Sequence, residues 1–308
     1  MKNKLEVIQD SAPKGALLPN HKEHVSFSEM LDWVECSWRH KLKHIDRLGE
    51  FKPSVHTEYG QTIHDAFENY ILQPPGSRTA PQPEVYIEEF RQLLIPVISD
   101  QETKIKKLEG NSAAQEKEIK ELQNILNLQK EMEEALPGTF AEFPDWFENT
   151  FPGWEALHAE FALHEEFMPS AKFKGFVDGI FKVPDKKSPT GYYIYIIDWK
   201  TSGRGWSAYQ KKDTNRHLQL VLYKYFVCKK LNLDPNIVKT AFVIIRRNKP
   251  KSKDRFDLIE ILSGEKKTEN AVKKLTGFIL QMKAGRYMKN KNTNTCRFCP
   301  FAYTEHCP

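Results

Sequence analysis

Residues 173–200 carry a pattern best satisfied by a β-hairpin. Phe173–Phe181 reads FKGFVDGIF, and Tyr192–Lys200 reads YYIYIIDWK. Both runs are rich in β-branched and aromatic residues. Between them lies a cluster of turn formers, Pro184-Asp185-Lys186-Lys187-Ser188-Pro189-Thr190-Gly191. A turn centred near Ser188 sets Asp178 opposite Asp198. Side chains alternate along a strand, so Asp198 and Lys200 share one face. Facing carboxylates repel, and among apolar neighbours that repulsion and the lost water call for a cation. Hard oxygen ligands suit Mg2+ or Mn2+, ions that activate water against phosphodiesters. Asp-x-Lys alone is a common surface feature, and Asp before Gly is a common turn. The mirror placement of Asp178 and Asp198 about one turn lifts both above that background.

At 308 residues the chain can bury a large core as one large domain or two small ones. Its net charge of +5 is compatible with a polyanionic partner without naming one. No apolar run reaches membrane-spanning length, and residues 1–24 lack the apolar centre of a signal peptide. That segment reads as a flexible lead into a soluble, cytoplasmic protein. Cys296-x2-Cys299-x7-Cys307 clusters near the C-terminus, and Cys36 stands alone near the start. Cys228 falls on a helix face with Leu218, Val221 and Tyr225, a packing position. Clustered cysteines in an intracellular chain suggest a metal.

Ser26-Phe27-Ser28-Glu29 fits a capping box that opens a helix carrying Met30, Trp33, Val34 and Cys36. A second helix is expected from about Thr57 to Leu72, with His64, Phe67 and Ile71 on one side. Helical periodicity returns from Pro83 to Gly110 and from Ala113 to Leu136, which reads as a helical-hairpin insertion within residues 74–150. Its charged faces are first of all solvated surface. Leu157, Ala159, Phe161 and Leu163 alternate as a strand. A helix over 214–231 puts Gln219 and Tyr223 on one face. Thr240–Arg247 and Arg255–Leu262 form a hairpin with a basic loop that includes Lys249, Lys251 and Lys253, and a last helix spans about 266–289. The order describes an α/β fold with a mixed central sheet flanked by helices.

Six segments stand in a telling order: Ser26–Leu31 with Cys36 behind it, Gly60–His64, Gly175–Gly179, Ile197–Thr201, Gln219-x3-Tyr223 and the terminal cysteines. Together they resemble the PD-(D/E)XK nuclease superfamily, in its RecB-like branch with a C-terminal iron–sulfur cluster, the group of Cas4 and the nuclease domain of AddB. The resemblance covers residues 25–308 apart from the insertion. It implies a restriction-endonuclease-like fold. By position it makes His64, Asp178 and Asp198 metal ligands, joined by the Trp199 backbone carbonyl. It has Lys200 orient or help deprotonate the attacking water, with Gln219 and Tyr223 supporting the site. Cys36, Cys296, Cys299 and Cys307 would hold a [4Fe–4S] cluster, making residues 289–308 a region that clasps the chain ends. Ser37 follows Cys36 where many relatives have proline.

An imidazole beside two carboxylates suits Mn2+ better than Mg2+. The implied activity is that of a metal-dependent DNA nuclease. It would be an exonuclease or end-processing enzyme on single strands or duplex ends, in recombination, repair or replication. Trp38-Arg39 and Arg204-Gly205-Trp206 could stack bases. A different class of reading is a non-enzymatic nucleic-acid-binding module, with Zn2+ held by Cys296, Cys299 and Cys307 plus His306 or Cys36. A third is the nuclease subunit of a larger DNA-processing complex, with the helical insertion docking a protein partner.

Overall fold

The hairpin forms where the alternation puts it. Strand β3 (Ala171–Pro184) pairs antiparallel with β4 (Tyr192–Ser202) from Gly179↔Ile197 to Pro184↔Tyr192, a register centred on Ser188. Gly191 closes the turn at a φ of 77°, a conformation open to glycine without steric cost. The computed structural model describes residues 17–49, 52–108, 110–249 and 254–308. Residues 1–16 of the expected lead, and Lys251 and Lys253 of the basic loop, lie outside the described residues.

β3 is the axis of a mixed six-stranded sheet. One of its edges is covered by β2 (Glu155–Met168), antiparallel. Its other edge is shared. β1 (His24–Ser26) runs parallel to residues 172–174, and β4 takes over from Gly179 onward. β5 (Val238–Arg246) lies parallel to β4, and β6 (Phe256–Glu260) antiparallel to β5. The sheet therefore splits between β1 and β4, beside residues 175–178 of β3.

Helices bury both faces. Against one face lie α1 (Phe27–Glu35), α7 (Thr214–Leu231) and α8 (Glu265–Lys283). Their Met30, Val221, Phe226 and Phe278 pack with Phe173, Ile196 and Phe242. After α1, a short α2 (Ser37–His40) follows Cys36, whose extended backbone breaks the helix. Against the other face lie α3 (Val55–Leu72), α4 (Pro83–Lys107) and α5 (Ser112–Thr150). Short α6 (Ala208–Lys212) precedes α7, and α9 (Thr293–Cys296) follows α8. The whole is a mixed α/β fold, a six-stranded sheet between two layers of helices.

Three boundaries differ from expectation. Ser26 caps α1 by accepting from Glu29 N at 3.2 Å, but Glu29 does not close the box. Its carboxylate turns inward to Lys22 and to buried His40, at 2.7 and 3.0 Å. α8 ends at Lys283 rather than Lys289, where Gly285 takes a left-handed φ of 64° and donates to Met282 O. α4 and α5 pair as an antiparallel hairpin, through Arg91–Glu133 and Gln101–Glu118. Yet α5 runs on past Leu136, through Pro137 and Pro144, to Thr150. An internal proline costs about 3 kcal/mol or more. Leu136, Phe140, Phe143 and Phe147 are all fully buried, and each contributes about 1.5–3 kcal/mol. Burial outweighs the local break, so the second half of α5 belongs to the core.

Candidate active site

The split in the sheet gathers the polar groups. β4 carries Asp198 and Lys200 on one face, β3 brings Asp178 beside them, α3 supplies His64 and α7 supplies Gln219 and Tyr223. Asp178 Oδ2 accepts from the Trp199 backbone N–H at 2.7 Å, which ties the two strands together just beyond their last ladder pair. Asp178 is 8 % exposed and Asp198 only 2 %. Lys200 Nζ lies 2.7 Å from Asp198 Oδ2. Gln219 Nε2 donates to Asp198 Oδ1 at 2.6 Å and lies 3.3 Å from Tyr223 OH. Asp198 Oδ2 has no partner of hydrogen-bond geometry. A buried carboxylate oxygen with a spare lone pair suits a cation.

His64 Nε2 donates to the Trp199 carbonyl at 3.1 Å, which turns Nδ1 toward Asp178 Oδ2 at 3.6 Å and Glu160 Oε1 at 3.9 Å. Burial disfavours the charged ring, but Asp178, Glu160 and Asp198 outweigh it and raise the His64 pKa to about 9. Burial and the Asp198 carboxylate together push Asp178 up to about 7. Burial opposes the charge on Lys200 as well, yet Asp198 and Asp178 hold its pKa above the ordinary lysine value. The two acids therefore repel, and their charge holds both bases protonated.

Glu160 is the residue the sequence reading missed. One ligand atom each from His64, Glu160 and Asp178 lie within 4.8 Å of one another, a donor set that could hold a divalent ion. The register of β2 on β3, Ala159↔Gly179 and Phe161↔Val177, sets Glu160 across from Asp178. Its backbone sits at a φ of 45°, a strained value for glutamate. The signal was present. Glu160 and Asp178 are equidistant from the turn at Pro169-Ser170, as Asp178 and Asp198 are from Ser188. Asp198 stands outside that group of three, engaged with Lys200 and Gln219.

A family model matches residues 24–308. The chain belongs to the PD-(D/E)XK nuclease superfamily. A search of curated proteins returned no match. PD-(D/E)XK nucleases act with divalent metals, and the donor set at the split sheet is of the kind such ions take. Among the described residues no helix is long and apolar enough to cross a membrane.

The cysteines lie elsewhere in this PD-(D/E)XK fold. Cys36, Cys296, Cys299 and Cys307 line one pocket with Trp38, Leu42 and Phe301. Among the described residues their sulfurs form no group of three within 4.8 Å of one another. The chain ends are zipped beside that pocket. Met288 N donates to Ser37 Oγ at 2.8 Å, Trp38 N to Met288 O at 3.1 Å, and Asn290 Nδ2 to Glu35 O at 2.8 Å. The Ser37 hydroxyl, next to Cys36, thus bonds the C-terminal segment. His306 turns to Glu305, 3.6 Å away, and is not among the pocket's lining residues. Cys228 is buried in the core, where burial pushes its thiol up to about 11. Trp38 donates to His306 O, and Trp206 packs on Phe242, so both tryptophans serve the fold.

Proposed function

We propose that this protein is a metal-dependent deoxyribonuclease that processes DNA ends, of the RecB-like and Cas4-like kind. In this reading Mn2+ or Mg2+ occupies the split in the sheet and a [4Fe–4S] cluster joins the chain ends. The observation that carries it is the convergence of Asp178, Asp198, Lys200 and His64, from three elements, where β1 and β4 part along β3. His64 Nδ1, Glu160, Asp178 and Asp198 would hold the ion, which when bound would polarise the phosphodiester and lower the pKa of water. Gln219 fixes Asp198 Oδ1, while Oδ2 lies against Lys200. Lys200, whose Nζ lies 2.7 Å from Asp198 Oδ2, would orient or help deprotonate the attacking water and offset charge gathering on the phosphate.

The cluster assignment rests on the resemblance of the cysteine pattern and on the single pocket that Cys36, Cys296, Cys299 and Cys307 line, which brings both ends of the described chain to one inorganic group. We assign residues 25–308 to the nuclease domain, with the α4–α5 hairpin extending its reach toward DNA or a protein partner.

The test is cleavage of end-labelled single-stranded and duplex DNA with Mn2+, Mg2+ or EDTA. Cleavage should need the metal. It should vanish in Asp198→Ala and Lys200→Ala while circular dichroism is unchanged. Full activity of Asp198→Ala in Mn2+ overturns the site. Purified anaerobically, the protein should be brown and contain iron; a colourless zinc protein overturns the cluster.

A further inference from the structure

One strand edge carries more than the catalytic acid. Lys174, Phe176 and Asp178 alternate along β3 and so share a face. Each step of two residues advances about 6.6 Å. All three line the cleft that also holds Asp198, Lys200 and Gln219. Phe176 is 49 % exposed, in a strand whose neighbours Phe173, Val177 and Phe181 are fully buried. The residue opposite it on β2 is Ala162, too small to cover the ring. Lys174 Nζ hangs 5.8 Å from the Phe176 ring centroid, and no carboxylate among the described residues pairs with it. A bare ring beside an unneutralised cation, on the rim of a cleft floored by acids, has no packing explanation.

We propose that Phe176 stacks on a base of single-stranded nucleic acid next to the scissile phosphate, with Lys174 binding the following phosphate. This rests on the nuclease reading and specifies its substrate as an unpaired strand. A ring face can meet a base face only when that base has left its duplex stack, and a cation beside the ring takes the backbone. Spacing fits as well. The reacting phosphate would lie at Asp178, the stacked base one strand step away, and the next phosphate a further step along. The contact is blind to sequence, because every base has a π-face.

The test compares two 12-mers binding the full-length protein in EDTA: oligothymidylate, and the same backbone with abasic sites. Fluorescence anisotropy should show wild type preferring the thymidine strand. Phe176→Ala should bind it roughly five- to hundredfold more weakly, the span of one base–aromatic stack, and lose the preference. Phe176→Trp should keep it. Lys174→Ala should weaken both strands alike and flatten the salt dependence. Equal binding of the thymidine strand by wild type and a folded Phe176→Ala, or no wild-type preference over abasic DNA, overturns the proposal. A parallel Mn2+ cleavage assay on wild type keeps the two readings apart. Cutting that persists with unchanged KM in Phe176→Ala removes the stacking role and leaves the nuclease. Absence of cutting by folded wild type removes the nuclease, and the anisotropy comparison still decides the stack.

Discussion

Phe143→Ala tests whether the far half of α5 is core or attachment. The ring is fully buried. It stacks on Phe67 at 3.6 Å and touches Tyr70, Phe147, Trp199 and Phe256 at 5.3–5.8 Å. A buried Phe→Ala change costs about 3–5 kcal/mol, and aromatic pairs add roughly 0.5–1.5 kcal/mol each beyond area. Alanine returns about 0.5 kcal/mol through helix propensity. The expected loss is about 4–5 kcal/mol, roughly a quarter or more of the stability typical of a whole domain. Urea unfolding followed by tryptophan fluorescence reads it directly. Leu126→Ala is the control, on the exposed part of the same helix; it should stay within about 0.5 kcal/mol. The effect should reach the active site, because Trp199 packs on Phe143 while its carbonyl accepts from His64. More Mn2+ should be needed for half-maximal cleavage. A loss below about 1 kcal/mol would show that residues 137–150 lie on the core without belonging to it.

Three further outcomes are expected. In EDTA, Asp178→Asn should be more stable than wild type by a margin that grows between about pH 4 and 7. Asp178 titrates near 7 when folded and near 3.9 when unfolded, so the folded state binds the extra proton and loses stability as pH rises; a margin independent of pH refutes this. Glu160→Gln should weaken Mn2+ binding, read by calorimetry, at least about tenfold, a loss that even outer partners of a metal produce; unchanged affinity removes Glu160 from the ligand set. Cys36→Ala should lose iron and soluble yield while Cys228→Ala keeps its iron, and equal iron in wild type and Cys36→Ala refutes the clasp.

What was legible in the sequence is what local rules control. Strand alternation and a Pro/Ser/Gly turn fixed the β3–β4 register, and with it the approach of Asp178 to Asp198. The same mirror rule about Pro169-Ser170 would have found Glu160. That signal is weak, because the turn is short and the alternation around Glu160 reads as ordinary solvated strand. The end of α5 was illegible for a different reason. Pro137 and Pro144 signal a break, and only contacts with Phe67, Trp199 and Phe256, distant in sequence, reverse it. Phe176 lies within the Gly175–Gly179 segment, yet whether a strand phenylalanine is covered depends on its cross-strand neighbour, and Ala162 is known only once the register is.

The strain at Glu160 and the repulsion at Asp178 have a consequence for anyone who evolves this protein toward heat resistance. A non-glycine residue in the left-handed region costs on the order of 1–3 kcal/mol, so Glu160→Gly should relax the backbone. Asp178→Asn should relieve the charge conflict with Asp198. Both changes should raise the melting temperature of the protein in EDTA, and both should abolish cleavage. A selection for thermal survival that ignored cleavage would therefore enrich substitutions at these two positions. The residues it chose to replace would map the active site without a substrate ever being added.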